Sequence, residues 1–236
     1  MEIDLSRPIL ARNETLAREN RLRLAEARIF ALDVLASPGA GKTTTILATI
    51  AALRDRYRIA VIEGDVASKV DAEKVKEHGI PAVQINTGGA CHLEADMISR
   101  ALDALPLEKL DLVIVENVGN LVCPTEFDLG QGSRVVILSV PEGHDKPLKY
   151  PGIFAVADAI LLNKYDTTPM FDFDEAEFRG SVGRLNGAAP IFPMSAKTGD
   201  GIPEWAEWLS ARIESARSGG GGAPANHASA GTGKDA

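Results

Sequence analysis

The stretch Ala36-Ser37-Pro38-Gly39-Ala40-Gly41-Lys42-Thr43-Thr44 follows an apolar run from Ile29 to Leu35 and opens a helical pattern that continues to Ile50. A strand, a tight Gly loop and a helix form the setting in which G-x-x-x-x-G-K-[ST] cradles phosphates. Gly39 and Gly41 permit backbone geometries that a side chain would forbid, so the N–H groups around Ala40 can converge on an anion. The helix start at Lys42, Thr43 and Thr44 adds its own N–H groups and partial positive charge. Lys42 is expected to reach the β- and γ-phosphates, and the Thr43 hydroxyl to bind Mg²⁺. Ala36 stands where the first Gly of the pattern belongs, the mildest replacement available.

In open parallel sheets ligands sit beyond the carboxyl ends of the strands, so each strand end is read for chemistry. Asp65 ends the second strand, where a carboxylate can hold Mg²⁺ directly or through water. Glu116-Asn117-Val118-Gly119 ends the fourth strand and resembles the D-x-x-G element of GTPases with Glu for Asp. There the Gly119 N–H would sense the γ-phosphate. Lys42, Asp65 and Glu116 are the expected catalytic set, and no base for the attacking water is evident. Asn163-Lys164-Tyr165-Asp166 matches N-K-x-D, and Ser195-Ala196-Lys197 resembles the last GTPase element. A carboxylate at Asp166 accepts from guanine N1–H and its exocyclic amine, whereas adenine presents an acceptor, so the wrong base leaves buried acceptors facing each other. The apolar stem of Lys164 is expected along the base with its amine in water. The expected nucleotide is GTP, or its product GDP, rather than ATP.

Both cysteines fall after strands: Cys91-His92 after the third and Cys123-Pro124 after the fourth. Thiolate and imidazole suit Zn²⁺ or Ni²⁺. A helix starting near Leu93 would favour the Cys91 thiolate. Three ligands leave a tetrahedral or square-planar site incomplete, so water or a second chain must supply the rest. The residues alone also allow two small buried hydrophobes. His78, His144 and His227 are read as solvated, loop and tail residues.

These groups need elements to hold them. Residues 10–28 read as a charged helix, 71–78 as another, 93–105 as an amphipathic helix and 203–217 as a Trp-bearing helix. Strands are expected at 58–65, 82–86, 112–116, 135–140, 159–163 and 191–194. The alternation gives an α/β fold with a mostly parallel sheet and helices on both faces. The expected organisation is a charged helical extension over 1–28, a GTP-binding domain with the metal site over 29–217, and a disordered Gly/Ala/Ser-rich tail over 218–236. Gly231-Thr232-Gly233-Lys234 in that tail echoes a phosphate loop but has no strand before it. The 236 residues are 45% hydrophobic and 25% charged, ordinary for a globular chain. A formal charge of -8 without a long basic block argues against nucleic acid or an anionic membrane as partner. With no signal-peptide pattern and no long apolar run, a cytoplasmic location is expected.

Gly88 to Ala95, Glu116 to Pro124 and Asp145 to Pro151, read as G-G-A-C-H-L-E-A, E-N-V-G-N-L-V-C-P and D-K-P-L-K-Y-P, resemble the HypB family. These are GTPases that assist nickel insertion into [NiFe]-hydrogenase, and the likeness runs from about Asn13 to Leu209. It implies a P-loop NTPase fold of the SIMIBI class, slow GTP hydrolysis and a homodimer when GTP is bound. It also implies a Ni²⁺/Zn²⁺ site of Cys91, His92 and Cys123 at the dimer interface. The implied partners are a HypA-type nickel metallochaperone and the hydrogenase large-subunit precursor. The mechanism expected from these positions is a nucleotide-gated metal switch, in which GTP-Mg²⁺ draws in Asp65 and the Glu116-to-Gly119 stretch and the movement reaches Cys123 a few residues downstream. Residues 1–28 contain neither Cys nor His, so the extra N-terminal nickel motif of many relatives is absent from them. Val66 to Asp71 departs from the E-G-D-Q form, leaving any role of Asp71 open. The C-P-H metal motif of urease-type relatives is absent.

Overall fold

The computed structural model describes residues 6–65 and 79–219. Seven strands form one sheet in the order β3-β2-β4-β1-β5-β6-β7, every neighbouring pair parallel. They are β1 Phe30–Ala36, β2 Ile59–Asp65, β3 Ala82–Asn86, β4 Leu112–Glu116, β5 Ser133–Ser139, β6 Ala159–Asn163 and β7 Ile191–Pro193. The α-helices among the described residues are α1 Ser6–Glu26, α2 Lys42–Leu53, α3 Ala95–Asp103, α4 Lys146–Lys149, α5 Pro151–Ala155, α6 Glu175–Leu185 and α7 Ile202–Arg217. The expected strands fall within two residues of those observed. The helix expected at 71–78, the end of the tail from residue 220 and the 231–234 echo lie outside the described residues, as does the side chain of Asp65.

Strand alternation sorts the core onto two faces. Leu32, Val34 and Ala36 of β1 pack with Ile46, Ile50 and Leu53 of α2 and Trp205, Leu209 and Ile213 of α7. Each buried Val, Leu or Ile among them contributes roughly 1.5–3 kcal/mol. The Trp205 indole also donates to Thr49 Oγ1 at 2.9 Å, which fixes α7 against the helix that carries the phosphate loop. On the other face Ala31 meets Ile98 and Leu102 of α3, and Leu35 joins Phe154 of α5 with Phe178 and Val182 of α6. Helix α1 packs on that same face through polar contacts. Asn13 donates to Asp128 O and accepts from Ala95 N, and Asn20 donates to Ala95 O and Leu129 O.

A charged row interrupts this second face. Asp33 of β1 is in register with Arg134 of β5, and both are almost completely buried. Burial pushes the Asp33 carboxyl up to about 6, against the opposing pull of Arg134 and the Asn117 hydrogen bond. A folded-state value above the unfolded one means the fold binds that proton more tightly. The resulting stabilisation is full below about pH 4 and is lost as pH rises through about 6, a span worth about 3 kcal/mol. Urea unfolding should therefore show wild type gaining on Asp33→Asn, which lacks this titration, as pH falls from 7 to 5. A pH-independent difference between the two would contradict it.

Candidate nucleotide and metal site

Strand β1 sits at the centre of the sheet, and its carboxyl end feeds the loop from Ser37 to Gly41. Gly39 and Gly41 adopt φ of 78° and 96°, the left-handed region where L side chains are strained. The first N–H groups of α2 have no intrahelical acceptor and face this loop. Lys42 Nζ lies 3.4 Å from Ser37 O, folded along the rim of the loop. Thr43 Oγ1 donates to Glu116 Oε1 at 2.9 Å, so the first turn of α2 and the end of β4 meet directly. Glu63 of β2 is buried in register with Glu116, a second carboxylate beside the one expected there. Gly119 lies against the loop: a Cβ there would come 3.1 Å from the Pro38 backbone nitrogen.

The Asn163-to-Asp166 and Ser195-to-Lys197 loops, expected to read the base, are tied to the same cradle. Asn163 Nδ2 donates to Ala40 O at 2.9 Å, and its Oδ1 accepts from Ala196 N at 3.1 Å. Lys164 has a left-handed backbone (φ 55°), and its amine, on the exposed side of the loop, donates to Gly39 O at 2.8 Å. Asp166 and Lys197 are exposed, and buried Ser195 shapes its loop by accepting from Thr198 N. Glu142, which sequence reading missed, accepts from Ser37 Oγ and from the N and Oγ of Ser139, and so anchors the loop from behind. The signal available was a Ser-x-x-Glu capping box from Ser139 to Glu142.

Gly41 is where the cradle tolerates no side chain. A Cβ would lie 2.6 Å from Asn163 Nδ2, on a backbone already at positive φ. Gly41→Ala is expected to cost about 1–3 kcal/mol in strain and contact. The readouts are a lower urea midpoint together with weaker nucleotide binding.

The cysteines and His92 converge at the same edge. Ligand atoms of Cys91, His92 and Cys123 all lie within 4.8 Å of one another. Cys91 follows β3 at the edge of the sheet, yet Cys123 follows β4, two strands inward. The intervening loop crosses the end of β2, where the absent side chain of Gly64 makes room for Leu93; a Cβ there would be 2.8 Å from the leucine. Cys123 opens a 3-10 turn, Cys123–Glu126, and Asn120 Nδ2 donates to Cys91 O at 3.2 Å to tie the arms together. His92 stacks on Phe127 with ring centroids 3.8 Å apart, and its Nδ1 is 3.5 Å from Cys91 Sγ. Burial holds the imidazole below its ordinary range despite nearby Glu94 and Glu126, which keeps it neutral and fit to donate a lone pair. The thiol of Cys91 behaves otherwise than expected. Helix α3 starts only at Ala95, and the hydrogen bond with Cys123, followed by burial, raises the Cys91 thiol instead of favouring its thiolate. His144 is a loop anchor, with Nδ1 accepting from Asp174 N at 3.1 Å.

A family model described as CobW/HypB/UreG, nucleotide-binding domain, matches residues 32–193. The hydrogenase maturation factor HypB of Azotobacter chroococcum mcd 1 is 46% identical over 209 residues, covering 88% of this chain and 68% of that protein. HypB from Helicobacter pylori, crystallised in complex with nickel, superposes with a TM-score of 0.82 at 40% identity, covering 86% of this chain and 95% of the other. HypB from Archaeoglobus fulgidus gives a TM-score of 0.81 at 40% identity, covering 86% and 99%. The parallel sheet, the phosphate loop and the matched span together place the fold among P-loop NTPases, and the chain belongs to the HypB family of hydrogenase maturation factors.

Proposed function

We propose that this chain is a GTPase that couples GTP binding and slow hydrolysis to holding and releasing nickel during [NiFe]-hydrogenase maturation. The observation that carries this reading is the meeting of two thiols and an imidazole at the strand edge that also holds the phosphate loop. The names of the relatives, and the nickel in the Helicobacter pylori structure, support it.

In this reading Gly39 to Thr44 bind the phosphates, with Lys42 compensating charge on the β- and γ-oxygens. Gly119 senses the γ-phosphate, Asp166 reads guanine, and Asn163, Ser195, Ala196 and Lys197 hold the base loops in place. The hydroxyl and carboxylates around Thr43 and Glu116 form a hard oxygen donor set that fits Mg²⁺, with Asp65 as a further candidate donor. When bound, Mg²⁺ neutralises charge developing on the transferring phosphoryl group. Slow hydrolysis is in keeping with the lack of an evident base for the attacking water among the described residues.

Nickel is cargo here, taken by Cys91, His92 and Cys123, with Zn²⁺ the chemically equivalent competitor. A second copy of the chain, recruited in the GTP state, supplies the remaining ligands. A HypA-type metallochaperone and the hydrogenase large-subunit precursor are the proposed partners, and the cytoplasm the proposed compartment. The test is a nickel titration of tag-free protein with GDP or with a non-hydrolysable GTP analogue, each state sized. Dimers only with the analogue, and unequal nickel affinities, are expected. An unchanged monomer with equal affinities would leave a GTPase whose cysteines are structural.

A further inference from the structure

The buried row on the second face of the sheet reaches both arms of the Cys/His cluster. Asn117 follows Glu116 directly, and it is 1% exposed. Its Oδ1 accepts from Leu93 N at 3.2 Å, the residue after His92, and its Nδ2 donates to Asp33 Oδ1 at 3.0 Å. Asp33 Oδ2 faces Arg134 Nε at 3.6 Å, an ion pair beyond hydrogen-bond distance. The Arg134 guanidinium then donates to Thr125 O at 3.2 Å and to Phe127 O, the carbonyls of the turn that Cys123 opens and of the ring that stacks on His92. One chain of polar contacts thus crosses β4, β1 and β5 and grips the Cys91-His92 arm at one end and the Cys123 arm at the other.

We propose that Asn117, Asp33 and Arg134 are positioning residues that set the spacing of the two metal-binding arms and tie that spacing to the position of Glu116. This rests on the nickel reading of the cluster given above. The physical case has three parts. Burial of an Asp–Arg pair gives little net stability, so its presence calls for another use, and fixing register is the best attested. That Asp33 stays hard to ionise despite Arg134 beside it agrees with a pair that stability does not account for. The amide of Asn117 is planar and short, and it is held at both ends. A displacement of the Glu116 strand end that follows Thr43 must therefore drag Leu93 N or break the bond. Leu93 cannot slip independently, because its side chain is wedged against Gly64. This link is separate from the covalent path through Gly119 to Cys123, and it acts on the opposite arm.

The experiment compares nickel affinity with GDP and with a non-hydrolysable GTP analogue, in wild type, Asn117→Ala and Arg134→Lys, following the thiolate-to-nickel absorption. The wild-type affinities are expected to differ at least about fivefold between states, a typical coupling. In Asn117→Ala the ratio should fall to within about twofold of one, with nucleotide affinity retained and the thiolate absorption still present. Arg134→Lys keeps the charge but loses the fork that holds two carbonyls, so nickel affinity should fall by about 10–100-fold. If Asn117→Ala keeps the wild-type ratio, or, should it not fold, if Arg134→Lys matches wild type in both states, the proposal is overturned. Wild type that absorbs in both states with equal affinity overturns the positioning role alone and leaves the cluster a nickel site. Wild type without thiolate absorption in either state defeats the nickel reading itself.

Discussion

Cys123→Ala is expected to lower nickel affinity by more than the roughly 10–100-fold that loss of a supporting contact costs, because it removes a direct ligand. The cluster has three candidate protein ligands within 4.8 Å, and alanine leaves one thiol and one imidazole. The interaction of the Cys123 thiol is with Cys91, so in the absence of metal GTP affinity should stay within about twofold. The variant should also lower the Cys91 thiol toward its ordinary range, since the neighbouring sulfur is the first cause of its elevation. Isothermal titration with nickel, paired with thiol alkylation rates across pH, reads both effects. Unchanged nickel affinity would remove Cys123 from the site.

The second large effect is on turnover. Lys42→Ala removes the cation that follows negative charge onto the β- and γ-oxygens. Loss of one preorganised group at a developing charge costs about 10²–10³-fold in rate, and a full cationic charge should reach the upper end. Lys42 is half-buried at a helix start, where alanine is an excellent helix former, so the fold should be retained. Single-turnover GTP hydrolysis, alongside a thermal melt that shifts by no more than a few degrees, separates chemistry from folding. Wild-type turnover in this variant would mean that the loop binds nucleotide without acting on it.

The parts of this molecule that were readable from sequence are those whose physics is local. The phosphate loop, N-K-x-D and S-A-K each state their chemistry within a few residues, and buried parallel strands announce themselves as continuous apolar runs. Helix α6 was not anticipated because Gly180 and Gly183 sit in its interior and depress helix propensity. Its start was nevertheless written in Asp174, whose side chain accepts from Glu177 N. The row of Asn117, Asp33 and Arg134 is a different case. Asp33 interrupts an apolar strand visibly, but its partners become neighbours only once β1 is placed between β4 and β5. The thiol of Cys91 was misjudged for the same reason: it answers to Cys123, far away in sequence, and helix α3 begins later than expected.

The double hydrogen bond of Asn163, to Ala40 on one side and Ala196 on the other, has a bearing on proofreading. In the proposed GTP site one amide joins the cradle to the loops that would read the base, so the shape offered to the phosphates would depend on whether the loop around the base is seated. A nucleoside triphosphate with the wrong base would meet, in the same encounter, a poorer pocket for the ring and a less well-formed nest for the charge. Fidelity would then be assessed once, by the whole entrance, before any bond to phosphorus is at stake.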